Sequence, residues 1–473
     1  MSQKHKLYFY YDYVFPNFIL PNGLNKEMAI INYIHSQYND NGGGDAFLER
    51  DIGQPGSMIT QIFGEHMGHW PASIRHGGPH FKYECYNDII DMVEDSVYLG
   101  KHRHKKYIYP IKVSPHVNDF LGMAYPGQKV NGEYFWKNIS EQVLNDIRNG
   151  DAILFLDWAQ ENHLNFAQLT QLNNIIDVAA LPTENVIFAH NGFNLQEEYE
   201  RMFTPDQRRF TVKNWPFLMF HNSWHWDHNR NCTVSEKQFL DSKTHLRDNH
   251  FLFRIRRTRH YRIALLYKMA SAGLLDMGDW SMLDEGLLEW KGIHMANEYS
   301  LGYDHQAIQQ LHTQFPHKLK SEPEAHFYNI SGWGDIKSVH SITSYFDITT
   351  ETYMEGNYKS FTEKVCKPLM NFQPFVLISF CGALKMLQKL GFKTFEGFID
   401  ESYDDELDHV KRLSMAYDEI TKLCKMTKQE IHDWYWQMEE ILIHNHNTFM
   451  NFHKTDQYNL DLIKYLEQRI SDV

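Results

Sequence analysis

Short apolar runs alternate with amphipathic segments along most of the chain. Residues 107–113, 152–156 and 185–189 are largely apolar runs bounded by polar or turn-forming residues, which predicts three buried strands. Residues 164–178, between the last two runs, repeat their apolar positions at helical spacing. Strands that alternate with helices predict a parallel sheet covered on both faces.

The same alternation returns in the second half of the chain. A strand at 251–255 leads to a helix that Gly273 ends, and a strand at 375–378 leads to a helix that Gly391 ends. Residues 392–395 then alternate as a further strand would. This half therefore predicts a second sheet of the doubly wound kind, whose ligands bind beyond the carboxyl ends of the strands.

Length and composition narrow the class of protein. With 473 residues, the chain is long enough for two or three domains. Its longest apolar runs are only about ten residues, too short to cross a bilayer. The first residues lack the basic-then-apolar layout of a signal peptide, and the five cysteines include no Cys-x-x-Cys pair. These features predict a cytoplasmic protein.

Charge points to a local anion site rather than a broadly basic surface. The net charge of −14 argues against nonspecific nucleic-acid binding over the whole surface. Positive side chains concentrate in residues 101–106, interpreted as a solvated segment, and in residues 254–262. In the latter, Arg257, Arg259 and Arg262 lie between a strand and a helix, where a bound phosphate would explain the clustered cations.

A second group of candidate residues lies between the predicted strands of this half. Glu351 follows an apolar strand, and Thr362 begins a helix on which Lys364 and Lys367 share one face. A helix start offers amide donors and a positive dipole end, which suit a diphosphate, and Glu351 is placed to hold two ribose hydroxyls. The alternative is that Thr362 is only a cap and that both lysines are solvated.

The spacing of Phe346, Glu351 and the triplet Thr362-Glu363-Lys364 resembles the donor-binding signature of the alpha-1,3-fucosyltransferases. Exostosin-type glycosyltransferases are more distant relatives of that signature. Segments beyond the triplet, such as residues 390–395 and 400–404, are closer still to glycosyltransferase-like proteins of bacteriophages and large viruses. The resemblance covers roughly the C-terminal half of the chain.

The resemblance implies an α/β, GT-B-like fold, with two Rossmann-like lobes facing a cleft and C-terminal closing helices. Residues 1–245 would form the acceptor-binding lobe, residues 246–410 the nucleotide-sugar-binding lobe, and residues 411–473 helices that pack back across the lobes. The implied donor is a UDP-sugar, or else a GDP-sugar, and no metal is required because positive side chains stabilise the leaving diphosphate. The predicted donor-binding residues are Arg257, Arg259, Arg262, Glu351, Thr362, Glu363 and Lys364.

The implied reaction transfers a hexosyl or pentosyl group to an acceptor hydroxyl. If the reaction inverts configuration, it needs a base in the first lobe, for which Asp157 is the first candidate and His190 the second. If it retains configuration, no such base is required. The histidines at 221, 225 and 228 have spacings that suit a metal, but the aromatic residues between them favour an acceptor pocket instead.

The phage resemblance implies 5-hydroxymethylcytosine in phage DNA as the acceptor, so that the enzyme would work in the host cytoplasm. The base would be extruded from the duplex and stacked on Trp224 and Trp226. Two alternatives stay open. One is a fucosyltransferase- or exostosin-like enzyme with a glycan, lipid-linked or protein acceptor, and the other is a non-enzymatic virion or binding protein with the same fold.

Overall fold

The computed structural model describes residues 106–112, 141–158, 166–216, 218–219, 222–223, 233–255, 258–282, 299, 301–317, 319, 339–356, 358–455 and 457–471. The chain divides into two compact units. The first comprises Met1–Phe217 with Asp456–Val473, and the second comprises Leu218–Thr455.

The first unit contains a four-stranded sheet in the order β1-β2-β3-β4, with every neighbouring pair parallel. Its strands are β1 (Tyr107–Lys112), β2 (Ala152–Trp158), β3 (Val186–His190) and β4 (Thr211–Asn214). Among the described residues of this unit, the helices before the chain leaves it are α1 (Glu141–Asn149), α2 (Phe166–Val178) and α3 (Leu195–Met202). All five residues of β3 are buried, as expected for a central strand covered on both faces.

The second unit contains a parallel four-stranded sheet in the order β6-β5-β7-β8. Its strands are β5 (Asn249–Ile255), β6 (Asp279–Met282), β7 (Ser344–Thr350) and β8 (Phe375–Ile378). The helices among its described residues are α4 (Glu236–Asp241), α5 (His260–Ser271), α6 (His305–His312), α7 (Val339–Thr343), α8 (Glu363–Met370), α9 (Ala383–Lys389), α10 (His409–Cys424), α11 (Lys428–Trp436) and α12 (Glu439–Thr455). The predicted α/β class, with two Rossmann-like units, is confirmed.

The chain enters the second unit earlier than the sequence boundary at 245. Phe239, on α4, stacks on Phe372 at 4.5 Å and on Trp436 at 4.9 Å between ring centroids, and both partners belong to the second unit. This aromatic packing attaches α4 to the second unit, so the crossing falls between residues 217 and 218. Local sequence patterns carry no signal for such a contact.

The C-terminal helices are divided between the units. Helices α10 to α12 belong to the second unit, whereas α13 (Gln457–Ser471) belongs to the first. There Tyr458 lies against Phe193, at 6.0 Å between ring centroids, and the Lys213 ammonium lies 3.6 Å from the centroid of the Tyr465 ring. The last helix therefore packs against other elements of the first unit.

The predicted strand at residues 392–395 is wrong. Phe392 and Phe395 are buried, but the segment joins neither sheet. The side chain of Asn445, on α12, instead accepts a hydrogen bond from Lys393 N and donates one to Lys393 O, both at 2.8 Å. The Asn445 amide thus forms the hydrogen bonds that the backbone of residue 393 would otherwise form with a neighbouring strand.

Among the helices of the described residues, none combines the length and the apolar character needed to cross a bilayer.

Candidate functional site

The start of α8 lies against the loop that follows β7, at the carboxyl edge of the second sheet. Glu351 is the first residue beyond β7, and its N–H still donates to Ile378 O at 3.0 Å. Its side chain is buried, and its carboxylate accepts hydrogen bonds from Thr362 Oγ1 at 2.5 Å, Thr362 N at 3.2 Å and Val365 N at 3.2 Å. Glu351 therefore caps α8 from a different part of the chain.

Thr362 completes the cap. It occupies the N-cap position of α8 with an extended backbone, and its hydroxyl oxygen accepts from Lys364 N at 3.3 Å. The amides of Thr362, Lys364 and Val365 thus donate within the protein. An anion at this helix start would be contacted mainly by side chains, rather than by the backbone donors that the helix pattern predicts.

Lys364 supplies the positive charge at this position. Its Nζ donates to Glu363 Oε1 at 2.9 Å and to the hydroxyls of Thr352 and Thr362, both at 3.1 Å. The Lys364 side chain is 27% exposed, and an anion bound to its ammonium would replace one of these three hydrogen bonds. Three hydrogen bonds from one ammonium fix its place at the sheet edge.

Glu363 forms an ion pair with Lys364, and the charges nearby keep its carboxylate ionised. Burial raises the pKa of Glu363, but the Lys364 and Lys367 ammoniums outweigh burial and hold that pKa at about 2. The Glu363 carboxylate is therefore ionised throughout the physiological range. In Glu351, by contrast, burial raises the pKa, and the charge of Lys364 and the bonds from Thr362 oppose it only in part.

Arg262 is bound to the end of β7. It is 4% exposed, and its Nη2 donates to Thr350 O and Glu351 O, both at 2.9 Å. The hydroxyl of Tyr261 also donates to Glu351 O. The first turn of α5 thereby holds the backbone of Glu351, and the contact of Arg262 with a donor stays a prediction.

Arg259 precedes α5 at its N-cap position. Its guanidinium lies 5.8 Å from the centroid of the Tyr353 ring, in the loop that follows β7. Six of the seven predicted donor-binding residues therefore lie on or directly before α5, on α8 or in the loop after β7. Arg257 lies outside the described residues.

A buried ion pair lies on the sheet beneath α8, and the sequence prediction missed it. Arg254, near the end of β5, forms an ion pair with Asp347 of β7, whose side chain is 3% exposed. Asp347 also accepts from Thr349 Oγ1 at 2.6 Å. The sequence does contain a signal for this ion pair, since each of the two apolar strands includes one charged residue. Buried charged residues are rare unless they are paired with an opposite charge.

The two candidate bases lie at the carboxyl edge of the first sheet. Position 157 on β2 pairs in register with Ala189, and His190 pairs with Trp158, so the two positions belong to opposite faces of the sheet. His190 is completely buried, and its Nδ1 accepts from Gly192 N at 2.8 Å. Asp157 and His190 are therefore alternatives rather than partners, and neither assignment is tested by this geometry.

The remaining acceptor predictions fall outside the described residues. These are residues 101–105 of the basic segment at 101–106, the histidines at 221, 225 and 228, and Trp224 and Trp226. Among the residues that the structure does describe, no cluster of three or more His, Cys, Asp or Glu side chains could hold a metal ion.

No protein-family model matches the chain, and no curated protein sequence matches it. Solved structures similar to it include a trehalose-6-phosphate synthase, over 89% of this chain and 84% of that one, at 11% identity and a TM-score of 0.35. Another is a UDP-forming alpha,alpha-trehalose-phosphate synthase from Burkholderia vietnamiensis, over 99% of both chains, at 8% identity and a TM-score of 0.37. Likenesses this weak assign no function, and the α/β class rests on the two sheets themselves.

Proposed function

We propose that the chain is a glycosyltransferase of the GT-B type that uses a nucleotide-sugar donor, with a UDP-sugar as the first candidate. The observation that supports this proposal is the partly exposed side chain of Lys364, whose ammonium is held at the start of α8 by three hydrogen bonds. It lies beyond the carboxyl edge of a parallel sheet, which is where doubly wound folds bind nucleotides. An ammonium favours a diphosphate by direct contact, and the positive dipole end of α8 adds to that attraction even though its amides already donate within the protein.

In the proposed reaction, an acceptor hydroxyl oxygen forms a bond to the anomeric carbon of the sugar. The bond between that carbon and the diphosphate oxygen breaks, and its electron pair leaves with the nucleoside diphosphate. Lys364 and Arg259 stabilise the negative charge that grows on the leaving group, an effect that is strongest when the cations are already in place. If the reaction inverts configuration, the hydroxyl proton passes to a base, for which Asp157 and His190 are the candidates.

The loop after β7 gives the site its rigidity. Arg262 and Tyr261 hold the backbone of Glu351, and the Glu351 carboxylate holds the start of α8. Lys364 is thus positioned through buried hydrogen bonds rather than by a solvent-exposed loop. Fixed positioning of this kind is what electrostatic stabilisation of a leaving group requires.

For the acceptor we propose 5-hydroxymethylcytosine in DNA, on the strength of the resemblance to phage proteins alone. Affinity for DNA should fall steeply as salt rises from low to moderate concentration, because bound DNA releases counterions. Binding of a glycan should change little over the same range. A flat salt response together with sugar transfer to a glycan would replace DNA by a glycan as the acceptor.

The test is release of nucleoside diphosphate from UDP-sugars and GDP-sugars, with DNA that contains 5-hydroxymethylcytosine and with unmodified DNA. The proposal predicts release that depends on the modified DNA, together with a mass increase of the DNA by one sugar residue. Lys364→Ala should abolish both. Lys422→Ala, which removes an exposed lysine paired with Glu419, should leave them unchanged. Absence of release from every donor with every acceptor would contradict the proposal.

A further inference from the structure

The loop between β7 and α8 carries a tyrosine directly beside the residue that holds the Lys364 ammonium. Lys364 Nζ donates to Thr352 Oγ1 at 3.1 Å, and Tyr353 is the next residue along the chain. Consecutive Cα atoms lie only about 3.8 Å apart. The backbone of Tyr353 is therefore one residue away from a hydrogen-bond partner of the ammonium to which a diphosphate would bind.

The Tyr353 ring has one aromatic neighbour and one cationic neighbour. Its centroid lies 6.1 Å from that of Tyr358, at an interplanar angle of 90°, and 5.8 Å from the Arg259 guanidinium. Tyr358 is buried, whereas Tyr353 is partly exposed. A buried ring thus supports a ring that solvent still reaches, and Arg259, the second cation assigned to the leaving diphosphate, adjoins the exposed one.

The backbone that follows Tyr353 is anchored by buried side chains. Arg412 donates through Nη2 to Met354 O at 2.5 Å. The hydroxyl of Tyr299, which is also buried, donates to the Glu355 carboxylate. Because the loop is fixed at the two positions after the tyrosine, a ligand that bound there would pay little conformational entropy for ordering it.

A partly exposed aromatic ring close to two cations suits a nucleotide. A nucleoside diphosphate carries its base one ribose away from its phosphates, and the loop likewise presents a ring next to the contacts of Lys364 and Arg259. Aromatic side chains stack on planar π systems, usually with offset faces. Stacking tolerates different bases, because every base has a π face.

We propose that Tyr353 stacks on the nucleobase of the donor, as a specificity-determining residue that requires an aromatic base but accepts different ones. The inference rests on the proposed function and deepens it, since it names what the protein recognises at the nucleoside end of the donor. UDP and GDP should both depend on this ring. A tyrosine that only packed against Tyr358 would affect every ligand of the site equally.

Calorimetric titration of the full chain with UDP, GDP and inorganic pyrophosphate tests the proposal, because pyrophosphate has the two phosphates without a base. Tyr353→Ala should weaken the binding of UDP and of GDP by roughly 5- to 150-fold, as expected for the loss of one stacked base. Its affinity for pyrophosphate should equal that of the wild type. Tyr353→Phe keeps the ring and should bind UDP as the wild type does.

Tyr303→Ala is the matched control. Tyr303 is also partly exposed and also lies against another tyrosine, Tyr267, at 5.8 Å between ring centroids, but it precedes α6 rather than α8. This variant should bind all three ligands as the wild type does. Lys364→Ala should instead weaken all three, because it removes the contact with the phosphates.

Two results would overturn the inference and leave the diphosphate site beside Lys364 standing. One is an unchanged affinity of Tyr353→Ala for UDP. The other is an equal loss of UDP and pyrophosphate binding in that variant, which would make the tyrosine a support of the loop alone. If the wild type bound none of the three ligands, the proposed function would fail first and this inference with it.

Discussion

The Thr362 hydroxyl donates a hydrogen bond of 2.5 Å to the Glu351 carboxylate, across eleven positions of the chain. This contact joins the end of β7 to the start of α8 and closes the loop between them. The same carboxylate accepts from the amides of Thr362 and Val365. One buried side chain therefore fixes the loop and the helix start that carry Lys364.

Glu351→Gln should destabilise the second unit by about 2–3 kcal/mol, because an amide has one acceptor oxygen where the carboxylate has two, and buried donors would lose partners. The measurement is the free energy of unfolding in urea, monitored by circular dichroism. Glu440→Gln, at an exposed position of α12, is the control and should change stability by less than about 0.5 kcal/mol. Equal stability of the two variants would show that the cap does not stabilise the fold.

Glu401 should make the protein less stable as pH rises. Burial raises the pKa of Glu401 to about 7, against hydrogen bonds from Thr394 and Phe395 that lower it. The folded state thus binds its proton more tightly than the unfolded state. Stability is therefore lost as pH rises from about 4.5 to about 7 and is level above that range.

Glu401→Gln should remove this pH dependence and should make the protein about 1–3 kcal/mol more stable than the wild type at pH 8, since the amide oxygen can still accept from Phe395 N. Urea unfolding at pH 5 and at pH 8 gives the comparison. A variant that is less stable than the wild type at pH 8 would mean that the ionised carboxylate is favoured in the fold.

The ring of Phe251 leaves no room for a side chain at Gly278. A Cβ added at Gly278 would come within 2.2 Å of that ring, which is completely buried on β5. Gly278→Ala should therefore destabilise the second unit by about 1–3 kcal/mol through overpacking. Phe251→Leu makes room, so the double variant should lose less stability than the sum of the single losses. Simple additivity would exclude the clash as the cause.

The parts of the structure that could be predicted from the sequence depend on neighbours along the chain. The alternation of apolar runs predicts the two sheets, and Thr427 with Glu430 predicts the capping box that begins α11. Thr362 is likewise the N-cap that its pattern predicts. These features involve residues within one turn or one strand of each other.

The features that could not be predicted depend on contacts between distant residues. Glu351 caps α8 only because the loop after β7 folds back on that helix, and Arg254 pairs with Asp347 across two strands. Asn445 replaces a strand partner for residues 392–395 from more than fifty positions away. Each of these outcomes is decided by tertiary packing, which overrides the local pattern.

Binding of a nucleoside diphosphate beside Lys364 should raise the thermal stability of the protein, which can be measured with UDP, GDP, CMP and ADP. At about 100 times its dissociation constant, a ligand should stabilise the fold by roughly 2.7 kcal/mol. We expect an increase in melting temperature with UDP or GDP that is retained in Lys422→Ala and lost in Lys364→Ala. An unchanged melting temperature with all four nucleotides, or an equal increase in Lys364→Ala, would contradict it.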